Sequence, residues 1–164
     1  LTIKPSQINE KSLIEKKKHD VGIAIAANDL EKAQSALSDI LTLAPETHES
    51  REQLAAIWYG QNDMQQATAL LMQGVALYPQ HWSFRLMLAK IHSSTQQFSS
   101  ALDILRVMPN VADTEYQATL ATLAQQNNSF ELAVSAYRYL AQRYPSQSRW
   151  WRWRPPPRRR CWAP

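Results

Sequence analysis

At 164 residues, with 3 glycines and 20% charged residues, the chain is long enough for one domain with a buried core and has the composition of an all-helical protein. Its formal charge of +4 misleads. Arg149, Arg152, Arg154, Arg158, Arg159 and Arg160 crowd the C-terminal end, and the rest holds 12 basic against 14 acidic residues, so no nucleic acid is expected to bind the body.

The predicted elements come in pairs. Helices are expected near 8–26 with 30–43, 47–60 with 64–77, 81–94 with 98–107, and 113–126 with 130–143. In the first pair, Lys16-Lys17-Lys18-His19-Asp20 stands where later pairs carry Leu-Ala, so its first helix reads as a polar cap. Each second helix holds one alanine in a fixed cassette: Ala33, Ala67, Ala101 and Ala133, at spacings of 34, 34 and 32. A large apolar residue stands three positions earlier (Leu30, Met64, Phe98, Phe130), preceded by a polar turn such as Asn28-Asp29 or Asn62-Asp63. Each later first helix carries a Leu-Ala pair: Leu54-Ala55, Leu88-Ala89 and Leu120-Ala121. Small residues on both helices let the backbones approach, and large ones one turn away, such as Trp58, fill the gap beside them. Pro45, Pro79 and Pro145 each follow their alanine by twelve residues and end the repeat; Pro109 follows Ala101 by eight, which shortens the third pair.

A period near 34 built from two short helices resembles the tetratricopeptide repeat. The expected fold is all-α: helix-turn-helix repeats stacked in a right-handed superhelix, four repeats and the start of a fifth. Residues 1–148 form the repeat domain, with repeats near 8–45, 47–79, 81–109 and 113–145. The resemblance implies that the first helices line a concave groove for a protein or peptide ligand. Carried over by register, the inward positions are Glu52, Ala56 and Tyr59, then Leu86, Lys90 and Ser93, then Ala118, Thr122 and Gln125. The set is mixed and suits an extended or helical peptide of modest charge. It lacks the Lys, Arg and Asn cluster with which chaperone-binding members clamp a terminal carboxylate.

After Pro145 a fifth repeat begins, with Trp150 and Trp151 in the place of its opening aromatic. Arg154 and Pro155 then stand where Leu-Ala is due, followed by Pro156 and Pro157, which end any helix. The run 149–164 reads as a frameshift or an artificial junction, because composition changes abruptly and in register. The alternatives are a natural Trp/Arg tail that binds membrane or nucleic acid, and a proline-rich ligand, weakened by the lack of Pro-x-x-Pro. A truncated fifth repeat leaves an apolar end, which Trp150, Trp151 and Trp153 are expected to cover within the chain or by self-association.

No catalytic, cofactor or metal constellation is legible. His19, His48, His81 and His92 show no i, i+4 pairing and read as lone surface or packing residues. Glu49 and Glu52 read as helix-start carboxylates. Gly22, Gly60 and Gly74 are isolated, so no phosphate loop exists. The lone cysteine, Cys161, lies in the tail, so the body has neither a disulfide nor a cysteine metal site.

Several stretches carry a finer resemblance: Ile3-Lys4-Pro5, LAAIWYGQ (54–61), FRLMLAK (84–90), LATLAQQ (120–126), AYRYL (136–140) and PSQSRWW (145–151). They are similar to the C-terminal repeat region of the MshN family, which assists biogenesis of the mannose-sensitive haemagglutinin type IV pilus. The resemblance runs over most of 3–151 and breaks after Trp151. It implies a non-catalytic scaffold in the Gram-negative envelope, periplasmic and tethered to the inner membrane by a segment upstream of Leu1, with pilus-assembly or inner-membrane proteins as partners. A cytoplasmic adaptor or co-chaperone is the alternative.

Overall fold

The computed structural model describes residues 5–144, and side chains from residue 9 onward. The fifth-repeat onset, Trp150, Trp151 and Trp153, and the Arg/Pro run all lie outside the described residues. Among the described residues there are eight helices and no strand: α1 (Pro5–Ala26), α2 (Leu30–Leu43), α3 (His48–Gly60), α4 (Met64–Leu77), α5 (Trp82–Ser94), α6 (Phe98–Leu105), α7 (Thr114–Gln126) and α8 (Phe130–Arg143). The chain divides into two compact units, one ending at Phe84 and the other starting at Arg85, within α5.

The same three-residue turn joins the helices of every pair. Asn28, Asn62, Gln96 and Asn128 adopt left-handed φ values of 55°, 64°, 61° and 57°. In the first, the Asn28 amide donates to Ile25 O (3.0 Å) and the Asp29 amide to Ala24 O (2.8 Å); the other three repeat this pattern. This double bond is the Schellman motif, which satisfies carbonyls orphaned at a helix end. Asparagine tolerates the left-handed conformation better than other side chains, which is why three of the four turns use it. The next helix starts at once. The Asp29 and Asp63 carboxylates accept from the Lys32 and Gln66 amides and so cap α2 and α4.

In the first unit α1 packs on α2, α2 on α3 and α3 on α4. Val21, Leu37, Ile40 and Leu54 form its core, with Ile14, Ile57, Trp58 and Leu70 packed around them. Burying each such aliphatic side chain contributes about 1.5–3 kcal/mol. Ala33, Ala55 and Ala67 are fully buried, and Leu54 nearly so. Of the α1 lysines, Lys17 reaches α2 and pairs with Asp39 at 2.7 Å.

In the second unit α6 packs on α7 and α7 on α8. Ala89, Ala101, Leu120, Ala121 and Ala133 are fully buried, and Leu88 is 4% exposed. The helix α6 has 8 residues where α2, α4 and α8 have 14. Pro109 lacks an N–H, so the chain turns away early. The Leu105 carbonyl left free accepts from the Tyr116 hydroxyl at 2.8 Å, and Gln117 Nε2 donates to Pro109 O and Val111 O, both at 2.8 Å.

Gln117 stands three residues before the Leu-Ala pair, the register that Arg51 and Arg85 occupy in α3 and α5. Arg51 is buried, and its guanidinium donates to Pro45 O (3.3 Å) and Gln73 Oε1 (3.0 Å). At two joints a long polar side chain thus ties down the loop that enters the repeat. The cost is visible at Arg51: its Nε has no partner, and burial pulls the guanidinium below its usual range.

Candidate functional site

A groove of about 360 Å³ runs in the second unit between α5 and α7, with Phe98 at the start of α6 also in its lining. Lys90 and Ser93 line it from α5, and Ala118, Thr122 and Gln126 from α7. Its width follows from side-chain size. The α7 wall presents alanine and threonines where a longer residue would fill the space.

The chemistry of the lining is narrow. Ser93 Oγ donates to Ala89 O at 2.7 Å, Thr119 Oγ1 to Glu115 O at 2.8 Å and Thr122 Oγ1 to Ala118 O at 2.9 Å. These hydroxyl protons are committed to the helices' own carbonyls, so the walls offer a ligand lone pairs and methyl groups. Lys90, the only ionisable residue of the lining, is paired with Glu115. The groove is therefore close to neutral, with the hydroxyl oxygens as acceptors and the Gln126 amide and the remaining N–H bonds of Lys90 as donors.

Four of the nine positions expected in a groove, Lys90, Ser93, Ala118 and Thr122, line this one. Leu86 corrects the expectation: it is 4% exposed and belongs to the core. It lies three residues before Ala89, on the same helix face, and the equivalent residues Glu52 and Ala118 are half-buried. A leucine in that half-buried register is drawn inward. Gln125 is exposed on α7 and accepts from the Tyr137 hydroxyl at 2.9 Å. In the first unit, Ala56 and Tyr59 are exposed on α3, while Glu52 is 2.8 Å from His81 Nε2. A smaller cavity of about 140 Å³ lies there between α1, α2 and α3, against Val21, Gly22, Ile25 and Gln53, and includes none of the three.

The sequence reading also missed Phe98, Thr119, Leu123 and Gln126 in the groove. It treated His48 and His81 as lone histidines, yet their rings lie 4.3 Å apart. The signal was available: 33 residues separate them, one short of the repeat period, and stacked repeats bring equivalent positions together. No group of three or more metal-ligating side chains occurs among the described residues, and none of their helices is long and apolar enough to cross a membrane.

A family model described as tetratricopeptide repeat matches residues 59–123. Residues 59–123 carry tetratricopeptide repeats. No curated protein matches the sequence. Solved structures with the repeat fold match in structure. MamA (residues 41 to the end) from Desulfovibrio magneticus RS-1 superimposes with a TM-score of 0.66 at 16% identity, over 84% of this chain and 79% of that one. A tetratricopeptide repeat protein from Parabacteroides merdae gives 0.68 at 16% identity, over 86% and 56%. YrrB, described as having an unusual peptide-binding site, gives 0.63 at 17% identity, over 86% and 77%. At these identities the likeness is one of fold, and tetratricopeptide repeats are in general interaction modules without catalysis.

Proposed function

We propose that this chain is a non-catalytic scaffold that holds an extended, largely uncharged peptide segment in the groove between α5 and α7. The observation that carries the reading is the lining itself. Small and methyl-bearing side chains leave about 360 Å³ open, and their hydroxyls face a ligand as acceptors. An extended peptide brings the complementary groups, backbone N–H donors and small side chains. Screening a peptide library against the full chain, and against Thr122→Trp, tests this. Peptides selected by the native chain should lose binding to the variant at least about tenfold. Equal binding to both would move the ligand elsewhere.

The finer reading, a scaffold of type IV pilus assembly in the bacterial envelope, rests on the resemblance of 3–151 to the MshN family. Crosslinking pull-downs with the full chain, run separately on envelope and cytosolic extracts of a piliated Gram-negative host, test it. Enrichment of pilus-assembly or inner-membrane proteins supports the reading, and capture of cytosolic chaperones alone overturns it in favour of an adaptor.

A further inference from the structure

His48 opens α3, and its ring lies among three others: Tyr78 at the end of α4, and His81 and Phe84 beyond it, with centroids 4.4, 4.3 and 5.7 Å away. Phe84 is fully buried, and His81 lies 4.4 Å from it as well. The Nδ1 of His48 is buried without a hydrogen-bond partner. The charged groups facing His48 are Arg51 and Glu52 from α3, Glu46 from the loop before it, and His81 from the loop before α5; α4 contributes only the Tyr78 phenol.

These surroundings treat the two imidazoles differently. A proton on His81 is paired, because Glu52 Oε1 lies 2.8 Å from its Nε2. A proton on His48 would sit in the first turn of a helix, where the dipole opposes it, 4.3 Å from the other ring and close to buried Arg51. Burial, then the charge of His81, holds His48 below the usual imidazole range, with Glu52 and, more weakly, Glu46 acting the other way.

We propose that this ring cluster is an acid-sensitive latch: with His48 neutral it clamps the start of α3 onto Tyr78 and Phe84, and protonation of His48 releases it. The sign follows from linkage. A base held below its ordinary value in the closed state takes up a proton more readily once released. The closed state is therefore fully favoured above about pH 6.5, the ordinary imidazole value, and loses that advantage as the pH falls below it. Release uncovers the Phe84 ring, so acidification would expose an apolar surface that is closed at neutral pH.

The test is amide hydrogen exchange on the full chain at pH 7.5 and 5.5, corrected for intrinsic rates, with histidine ring titration by NMR. A released His48 of ordinary affinity is about nine-tenths protonated at pH 5.5, so protection in the first turns of α3 should fall by up to about tenfold while α7 holds. The His48 titration should have its midpoint below 6.5, and His48→Phe should make α3 protection independent of pH. A His48 midpoint at or above 6.5, or equal losses in α3 and α7, would overturn the latch. Should His48→Phe not fold, His81→Gln serves instead: the His48 midpoint should rise and the pH dependence of α3 protection should shrink, and no change in either would overturn the latch.

Discussion

Gly74 lies inside α4, where alanine would ordinarily be preferred by about 1 kcal/mol. Here the preference should reverse. A Cβ built on Gly74 meets Arg51 Cδ at 2.8 Å and Phe84 Cδ2 and Cε2 at 2.9 and 3.0 Å. Neither neighbour is free to yield. The Arg51 guanidinium is held by Pro45 O and Gln73 Oε1, and the Phe84 ring is fully buried. Overpacking of this kind costs about 1–3 kcal/mol, so Gly74→Ala should destabilise by about 1 kcal/mol net of the helix gain. Gly22 is the internal control: it also lies within a helix, yet a Cβ there meets nothing within 4 Å, and Gly22→Ala should gain up to about 1 kcal/mol. Urea denaturation followed by circular dichroism separates the two variants, which should differ by about 2 kcal/mol. A Gly74→Ala chain as stable as Gly22→Ala would refute the close approach of α4 to Arg51 and Phe84. Adding Phe84→Leu should recover part of the loss only if the two residues press on each other.

Gln96 is the left-handed turn residue that is not asparagine, so Gln96→Gly should raise the thermal midpoint, by a gain of about 0.5–1 kcal/mol, whereas the exposed Gln97→Gly should not. Asp63→Ala removes the acceptor of the Gln66 amide and should cost about 1 kcal/mol in urea, with Asp63→Asn recovering most of it. Burial pushes the Tyr116 phenol up to about 12. The folded chain keeps that proton above pH 10 while the unfolded chain releases it, so stability should fall between pH 10 and 12 by roughly 1.4 kcal/mol per pH unit. Tyr116→Phe should lose about 1–2 kcal/mol at pH 7, as Leu105 O loses its donor, and should lack this part of the alkaline decline.

The sequence made the helix pairs legible because the period acts on many residues at once. The alanine cassette and the prolines place seven of the eight helices within two residues of their observed ends, and the early Pro109 foretells the short α6. The N-terminal end of α1 is the exception, starting at Pro5 rather than near residue 8: a proline at the first helical position marks that start, but the alanine cassette does not reach it. What periodicity cannot weigh is a single side chain's choice between two surfaces. Leu86 occupies a register that is half-buried elsewhere, and only its greater apolar area takes it inward. His48 and His81 escaped notice because local spacing was searched for pairs, whereas repeats bring together residues one period apart.

One register shows how such a chain keeps its repeats in order. Seven residues after their alanines stand Ile40 and Gly74, and at the head of the following helix stand Ser50 and Phe84. All four are buried, and the bulk alternates: large Ile40 precedes small Ser50, and small Gly74 precedes large Phe84. Tandem hairpins of similar sequence are prone to assemble with the wrong neighbour. If the helix bearing Phe84 tried to dock where the one bearing Ser50 belongs, the ring would meet isoleucine instead of glycine. The reverse error would leave a void where the ring should be. Duplication makes copies that are interchangeable; this exchange of bulk makes these two joints accept one order of the chain.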